Sequence, residues 1–599
     1  MNRPSPIRIA LACGLLTLAA CTERGGENGS PADRRQQPVE LVLLEDGRPD
    51  PAVLAEEQVV YRGNGEEPET LDPHLAVGIP TAHILRDLFE GLTAESPEGD
   101  VVPGAALRWN ISRDARTYTF YLRRDLTWSN GDPLTAQDFL FSLRRAANPV
   151  TAANSARMLL PILNASEVLS GELPVDELGV ALLDEFTLQI TLTGPTPYFL
   201  GLLTHPIAYP LNRKNLEQHG DQFSRPGNLV SNGAFTLISW VPRVELILEK
   251  NPLFREADQT LVERVHYLPI EDQSTEVKAF RSGEIDWTNE VPNNQFKWLQ
   301  EHYPNELVVS PWLGSYFFGF NLTREPFVDN PSLRMALILA VDRQILAEKV
   351  AQFGEQPSYA LVPPGIDGYV PFSPEYADWT QADRNHEARR LYEQAGYSED
   401  RPLRIEIRYN TSDNHKKMAL AVASMWKQVL GVNSTLVNEE FRVFLQNRAQ
   451  RVVTQVFRAG WVSDYNDPYR FLELFRSGHG LNDYGYANSI FDALLDQVGT
   501  ERVQARRERL MFEAERVLMS DNVIIPLYTY VTKRLVSSQL RGWKNNVMDH
   551  HQTRHMFKLK WQNEQQVAPV GSVPEPAEAS PPAVMDGPEE PMETEAQDS

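Results

Sequence analysis

The sequence is poor in cysteine, with two in 599 residues, Cys13 and Cys21. That excludes a disulfide-stapled scaffold and a four-cysteine zinc site. No Gly-Lys pair occurs anywhere, which removes the phosphate-cradling G-x-x-x-x-G-K-[ST] loop, and G-x-S-x-G, H-E-x-x-H and G-x-G-x-x-G are absent as well. Bases are outnumbered, 57 Lys and Arg against 81 Asp and Glu, with no long basic block, so nucleic acid is excluded as a partner. Long apolar runs are missing beyond the first twenty residues, where a spanning helix would need about twenty in a row. What is present is 42% hydrophobic and 9% aromatic residues, enough for a sizeable core spread over several domains.

The N-terminus accounts for both cysteines. Arg3 and Arg8 precede an apolar run from Ile9 to Ala20 that is too short to span a bilayer of roughly 30 Å. The run ends in Leu18-Ala19-Ala20-Cys21, which resembles a bacterial lipoprotein lipobox. The resemblance implies cleavage before Cys21 and lipid attachment at its sulfur; the alternative is an ordinary secretory signal cut near Ala20. Either way the chain is exported. With Cys13 discarded and Cys21 lipidated, the mature protein rests on its core alone, held to a membrane by the anchor and not by a span.

Residues 21–56 are rich in Gly, Pro, Glu and Arg and read as a flexible tether, and 562–599 as a disordered acidic tail. From Val567 onward that tail holds eight acids and no base, so most of the net charge of −24 belongs to the body. Thr117 to Leu122 alternates as a half-buried strand does. Thr135 is placed to cap a helix running to Arg145, with Asp138 at its third position. Pro331 to Ala347 and Lys416 to Leu430 are patterned as amphipathic helices, the second stopped by Gly431. Phe186 to Thr193 and Met556 to Trp561 read as strands. This irregular mixture indicates an α/β protein of several lobes.

Candidate chemistry is sparse. The pairs Glu66/Glu67 and Glu439/Glu440 are what an acidic surface provides. His550, His551 and His555 could share a metal on a helix, but on the strand that follows from the Met556 pattern His550 points away from the other two. No metal and no cofactor are assigned.

Several segments carry a stronger signal. They are Gly65-Glu66-Glu67-Pro68-Glu69-Thr70-Leu71-Asp72-Pro73-His74, Arg86-Asp87-Leu88-Phe89-Glu90-Gly91-Leu92, and Trp128-Ser129-Asn130-Gly131-Asp132-Pro133-Leu134-Thr135. Next come Ser231-Asn232-Gly233-Ala234-Phe235 and Phe280-Arg281-Ser282-Gly283-Glu284-Ile285-Asp286. The last are Tyr409-Asn410-Thr411-Ser412-Asp413-Asn414-His415 and Arg458-Ala459-Gly460-Trp461-Val462-Ser463-Asp464-Tyr465-Asn466-Asp467-Pro468. In this order, over about Glu57 to Trp561, they resemble the periplasmic oligopeptide-binding proteins of peptide ABC transporters, within the extracellular solute-binding family 5.

The resemblance implies a bilobal, hinged α/β binding protein with an additional domain. The expected division is lobe I at 57–79, 215–313 and 528–561, the additional domain at 80–214, and lobe II at 314–527. It implies a monomer and no enzyme: a periplasmic receptor, anchored to the inner or outer membrane, that captures short peptides between its lobes and delivers them to a membrane permease. A receptor for murein tripeptide is the alternative within the family, and a periplasmic hydrolase or chaperone-like lipoprotein the alternative outside it. Binding any peptide sequence demands reading the backbone by strand addition and the termini by charge. The carried-over residues are Asp464 for the α-amino group, Gly460, Trp461 and Val462 for the backbone, and Arg458, His415 and Arg448 for the carboxylate. Glu67 matches an acidic position near the ligand. Two departures stand out. Gly314 and Val462 occupy positions that enteric members link by a disulfide, and Ser155 and Ala351 replace an aromatic and a lysine that contact ligand there.

Overall fold

The computed structural model describes residues 37–366, 368–463 and 465–562. Residues 39–560 form one compact unit; the other contains the two chain ends, where Pro38 bridges Trp561 in antiparallel fashion. The signal segment with Cys21, and the tail from residue 563 on, lie outside the described residues. Among the described residues no helix is long and apolar enough to cross a membrane.

Three sheets carry the main unit. The first pairs Val59–Gly63 in parallel with Arg264–Leu268, followed by Glu245–Lys250 and Phe235–Val241 in antiparallel order. The second is antiparallel: Ala106–Ile111, Thr117–Leu122, Thr187–Thr191, Val180–Asp184. In Thr117–Leu122 every second residue is buried, so the alternation in sequence is the alternation of its two faces. The helix Ala136–Ala147 packs against Val180–Asp184 and Thr187–Thr191 of the same sheet, started as its sequence predicts, with the Thr135 N–H donating to Asp138 Oδ2 at 2.8 Å. These two sheets share a continuous apolar core containing Val60, Val265, Phe120 and Phe139.

The third sheet has six strands, in the order Gln356–Pro357, Ile524–Leu535, Leu307–Phe320, Val456–Val462, Arg404–Asn410, Asn433–Glu439. It has a core on each face. Tyr316, Phe318, Val456, Ile407 and Leu527 belong to one, and Phe317, Phe457, Ala459 and Ile524 to the other. Two of its strands are long enough to tie the lobes together. Leu307–Phe320 and Ile524–Leu535 pair antiparallel along their length, with a register shift between Pro311 and Ser315. Beyond the shift their other ends reach the first lobe, where Thr288 N–H donates to Leu535 O at 3.0 Å and Val291 N–H to Lys533 O at 3.1 Å. The molecule is therefore bilobal, with a strand pair crossing between the lobes.

One expected helix is broken. The apolar periodicity from Pro331 to Ala347 suggests a single helix, but it ends at Leu339 and restarts at Arg343. Asp342 caps the restart by accepting from Ile345 N–H, and the buried Arg343 guanidinium donates to Pro526 O, Val341 O and Ile338 O. Helix Asp413–Leu430 begins three residues earlier than the pattern suggests, capped by Ser412, and ends at Gly431 in the left-handed region with φ 74°.

Candidate functional site

The strand Val456–Val462 has different neighbours along its two halves. Its pairing with Arg404–Asn410 stops at Phe457↔Arg408, while its pairing with Leu307–Phe320 continues to Val462↔Gly314. From Arg458 to Val462, among the described residues, one edge has no neighbouring strand. The alternation of an antiparallel ladder says which groups line that edge. Ser463 N–H donates to Leu313 O and Asn321 N–H to Gln455 O, so odd-numbered residues face the long strand. The N–H and C=O groups of Arg458, Gly460 and Val462 therefore face outward, as an acceptor for an added strand.

Arg458 and Gly460 share one sheet face with Tyr316. The Arg458 guanidinium donates from Nη2 to Tyr530 Oη at 3.1 Å, and its Cζ lies 5.0 Å from the Tyr316 ring centroid. Among the described residues no carboxylate pairs with it, and its buried Nε has no partner. Tyr316 Oη lies 3.1 Å from His415 Nδ1, which brings the imidazole to the same cluster from the start of Asp413–Leu430. Burial first, then the Arg458 charge, pushes the His415 pKa down to about 4. Tyr528 stacks on Tyr316 at 4.6 Å, and Tyr530 stands edge-on to both. A β-carbon at Gly460 would lie 3.0 Å from Tyr530 Oη and 3.1 Å from Ser315 O, so glycine is what lets this cluster close over the strand.

The other expected residues are elsewhere. Arg448 donates to Asp483 Oδ2 at 2.5 Å, with its Cζ 5.8 Å from the Phe457 ring, on the opposite face of the sheet from Arg458. Trp461 also faces that second core, with Arg470 Cζ 4.6 Å from its ring. Glu67 is engaged locally: its carboxylate accepts from Trp240 Nε1 at 2.6 Å and from the Arg243 N–H at 3.0 Å. Gly314 and Val462 are direct cross-strand partners, held by the ladder where enteric relatives are expected to have a disulfide. Ala351 is buried in the second lobe's core. Asp464 lies outside the described residues.

Val462 and Ser463 open onto a cleft of about 300 Å³. Its far wall comes from the first lobe and the second sheet's neighbourhood, including Arg86, Ser155, His205 and His550, with Trp312 on the near side. The three histidines near the C-terminus diverge, unlike a ligand set. His550 sits between Glu95 and Arg86, His551 bonds Asp549 and stacks on Trp543, and His555 faces Arg554. Among the described residues no cluster of three or more His, Cys, Asp or Glu is arranged to hold a metal. Sequence reasoning passed over Tyr316, Tyr528 and Tyr530. The one signal for the last two was their alternation in Leu527-Tyr528-Thr529-Tyr530, which puts both on one face.

The model for bacterial extracellular solute-binding proteins, family 5 (middle), matches residues 100–483. The periplasmic oligopeptide-binding protein OppA of Escherichia coli is 41% identical over 511 residues, covering 85% of this chain and 94% of that protein. The unliganded open form of MppA, a periplasmic murein tripeptide-binding protein, superimposes with a TM-score of 0.82 at 37% identity, covering 85% of this chain and 99% of that one. Another structure of the Escherichia coli murein tripeptide-binding protein MppA gives only 0.65 at the same identity, covering 85% of this chain and 100% of that one.

Proposed function

Because this chain belongs to family 5 of the bacterial extracellular solute-binding proteins, we propose that it is the peptide-capturing receptor of an ABC importer. The observation that carries this reading is the unpaired edge from Arg458 to Val462 lying beside a guanidinium with no carboxylate partner among the described residues. An extended peptide adds to that edge through its own backbone, which is blind to side-chain identity. Its carboxylate meets Arg458 and His415 at one end, and its ammonium meets Asp464 at the other, next to Val462. Arg448 and Glu67, already committed to Asp483 and to Trp240, take no part in this reading. Closure of the lobes then shifts an open–closed equilibrium by as much as the peptide prefers the closed state. The ligand is held and released unchanged, so the protein is a receptor and not an enzyme.

The division into lobe I, additional domain and lobe II, the lipid anchor at Cys21 and the monomeric state belong to the same reading. Native mass spectrometry of the purified chain tests it: peptides of about two to six residues are expected to co-purify, as backbone-and-termini recognition in a closed cleft requires. A clean unliganded mass, with no thermal shift on adding mixed peptides, overturns it, and hydrolysis of the added peptides points to the enzyme alternative. The 37% identity to a murein tripeptide-binding protein supports a second reading, in which an extra cation meets the additional carboxylate. Murein tripeptide outcompeting trialanine is the result that selects it.

A further inference from the structure

The cleft at the end of the open edge has a wall on which the uncommitted nitrogens are all hydrogen-bond donors. Arg86, 8% exposed, reaches that wall from the last turn of the helix Ile79–Leu88. Its Nη2 donates to His550 Nε2 at 2.8 Å. The His550 hydrogen therefore sits on Nδ1, which donates to Glu95 Oε2 at 2.8 Å, and Thr204 Oγ1 donates to the same carboxylate at 3.2 Å. Glu95 lies behind the wall, beside a separate small cavity, and its Oε2 is 3.6 Å from Arg86 Nε without a hydrogen bond between them. Arg86 Nη1 has no partner among the described residues.

His205 stands on the same wall. It caps the short helix Pro206–Ala208, its Nδ1 accepting from Ile207 N–H at 3.1 Å. That bond leaves the ring hydrogen on Nε2, which has no partner among the described residues. Burial first, then the charges of Arg86 and His550, pushes the His205 pKa down to about 3, so the ring is neutral at physiological pH and Nε2–H is a donor. Ser155 adds a hydroxyl that makes no capping bond. Asp549, the wall's carboxylate among the described residues, is already taken by Arg534 and His551. Ile79, Leu85, Trp312 and Met548 make the surroundings apolar. Uncommitted donors, a spent carboxylate and apolar walls favour a guest group that only accepts hydrogen bonds, because charge-assisted bonds strengthen where water is excluded.

The position of the wall along the strand decides which part of a peptide meets it. Val462 lies four residues from Arg458, about 13 Å of extended chain. A tripeptide laid on that edge with its carboxylate at Arg458 has its first residue beside Val462, where the cleft opens. We propose that Arg86 and His205 form a subsite for a carboxylate on the side chain of the peptide's first residue, so that the receptor favours peptides beginning with an acidic residue. This rests on the reading of the chain as a peptide receptor with Arg458 as the carboxylate anchor. Arg86 supplies the charge and one N–H, and His205 supplies a second N–H held in place by its cap.

Calorimetric titration of the full chain with trialanine, Glu-Ala-Ala and Gln-Ala-Ala tests the idea, because the ratio of the last two affinities reports the side-chain charge and cancels general damage to the cleft. Glu-Ala-Ala is expected to bind about tenfold tighter than Gln-Ala-Ala, the range of one charge-assisted hydrogen bond. Arg86→Met brings that ratio to about one. His205→Asn keeps the helix cap through its own oxygen but stops short of the Nε2 position, and lowers the ratio about threefold. If Arg86→Met does not yield folded protein, His205→Asn carries the readout. Ala-Ala-Glu and Ala-Ala-Gln, with the charge moved to the last residue, are expected to bind alike. A wild-type ratio of one, or a ratio that the variants leave unchanged, overturns this inference and leaves the receptor standing, since trialanine still binds. An equal preference for the acid at the third residue overturns it as well. Failure of every peptide to bind overturns the receptor reading itself, and the inference with it.

Discussion

The two faces of the strand Val456–Val462 each have an arginine beside them, and they differ in what that arginine is given. On one face Arg448 has the buried Asp483 as a partner and phenylalanine rings around it. On the other, Arg458 has tyrosine rings and one hydroxyl, a histidine nearby, and no carboxylate among the described residues. A buried cation is costly unless paired. On the proposed reading the completed pair serves structure and the open one is kept for a ligand's charge. The same asymmetry runs through the backbone, since Val456 and Phe457 are paired on both edges and Arg458 to Val462 on one.

Breaking the completed pair has the largest expected effect. Asp483→Ala strands the Arg448 charge and should cost about 3 kcal/mol of stability in a denaturant titration, with peptide affinity unchanged in the folded protein. Loss of affinity at full stability would mean that Arg448 serves the ligand after all. The open side should behave in the opposite way. Arg458→Met is expected to lower affinity for peptides with a free carboxylate by about 2 kcal/mol, to spare C-terminal amides, and to leave stability unchanged or raised. Equal losses for acids and amides would remove the carboxylate role.

Smaller effects sharpen the same contrast. Gly460→Val pushes a branched side chain into the space of Tyr530 Oη and Ser315 O, displacing the Arg458 cluster, and should cost about 1.5 kcal/mol of peptide affinity by calorimetry. An unaffected variant would show that the cluster tolerates a gap there. The His415 ring supplies a pH signature. Its folded pKa of about 4 lies below its unfolded value of 6.5, so the unfolded chain takes up the proton first. Its contribution to stability is whole above pH 6.5 and is lost as pH falls from there to about 4. Discounted for a half-exposed ring, the loss should be about 1 kcal/mol, and His415→Gln should flatten that part of the stability–pH curve.

Much of the local structure was legible in the sequence because it depends on neighbours close along the chain. The alternation of Thr117–Leu122, the Thr135–Asp138 capping pair and the Gly431 stop are encoded within a few residues of where they act. The helix break at Ala340–Asp342 was not, because the apolar spacing runs through it. The break is held by Arg343 reaching Pro526, almost two hundred residues away in the sequence.

The family and its two-lobed fold follow from motifs that are continuous in the chain. The sequence also put Arg458, His415 and Gly460 on the list of ligand residues. It could not show how Arg458 and Arg448 differ, since both are arginines close to the same strand and the difference is a carboxylate partner thirty-five residues further on for one and, among the described residues, no carboxylate for the other. Nor could it show which edge of the strand stays open, that Tyr316, Tyr528 and Tyr530 come together, or that Arg86 and His205 share one wall of the cleft. Each of those depends on which surfaces the sheets bring face to face. Local sequence sets backbone conformation through short-range sterics and hydrogen bonds, whereas the presence or absence of a charge partner is settled only by packing across long separations.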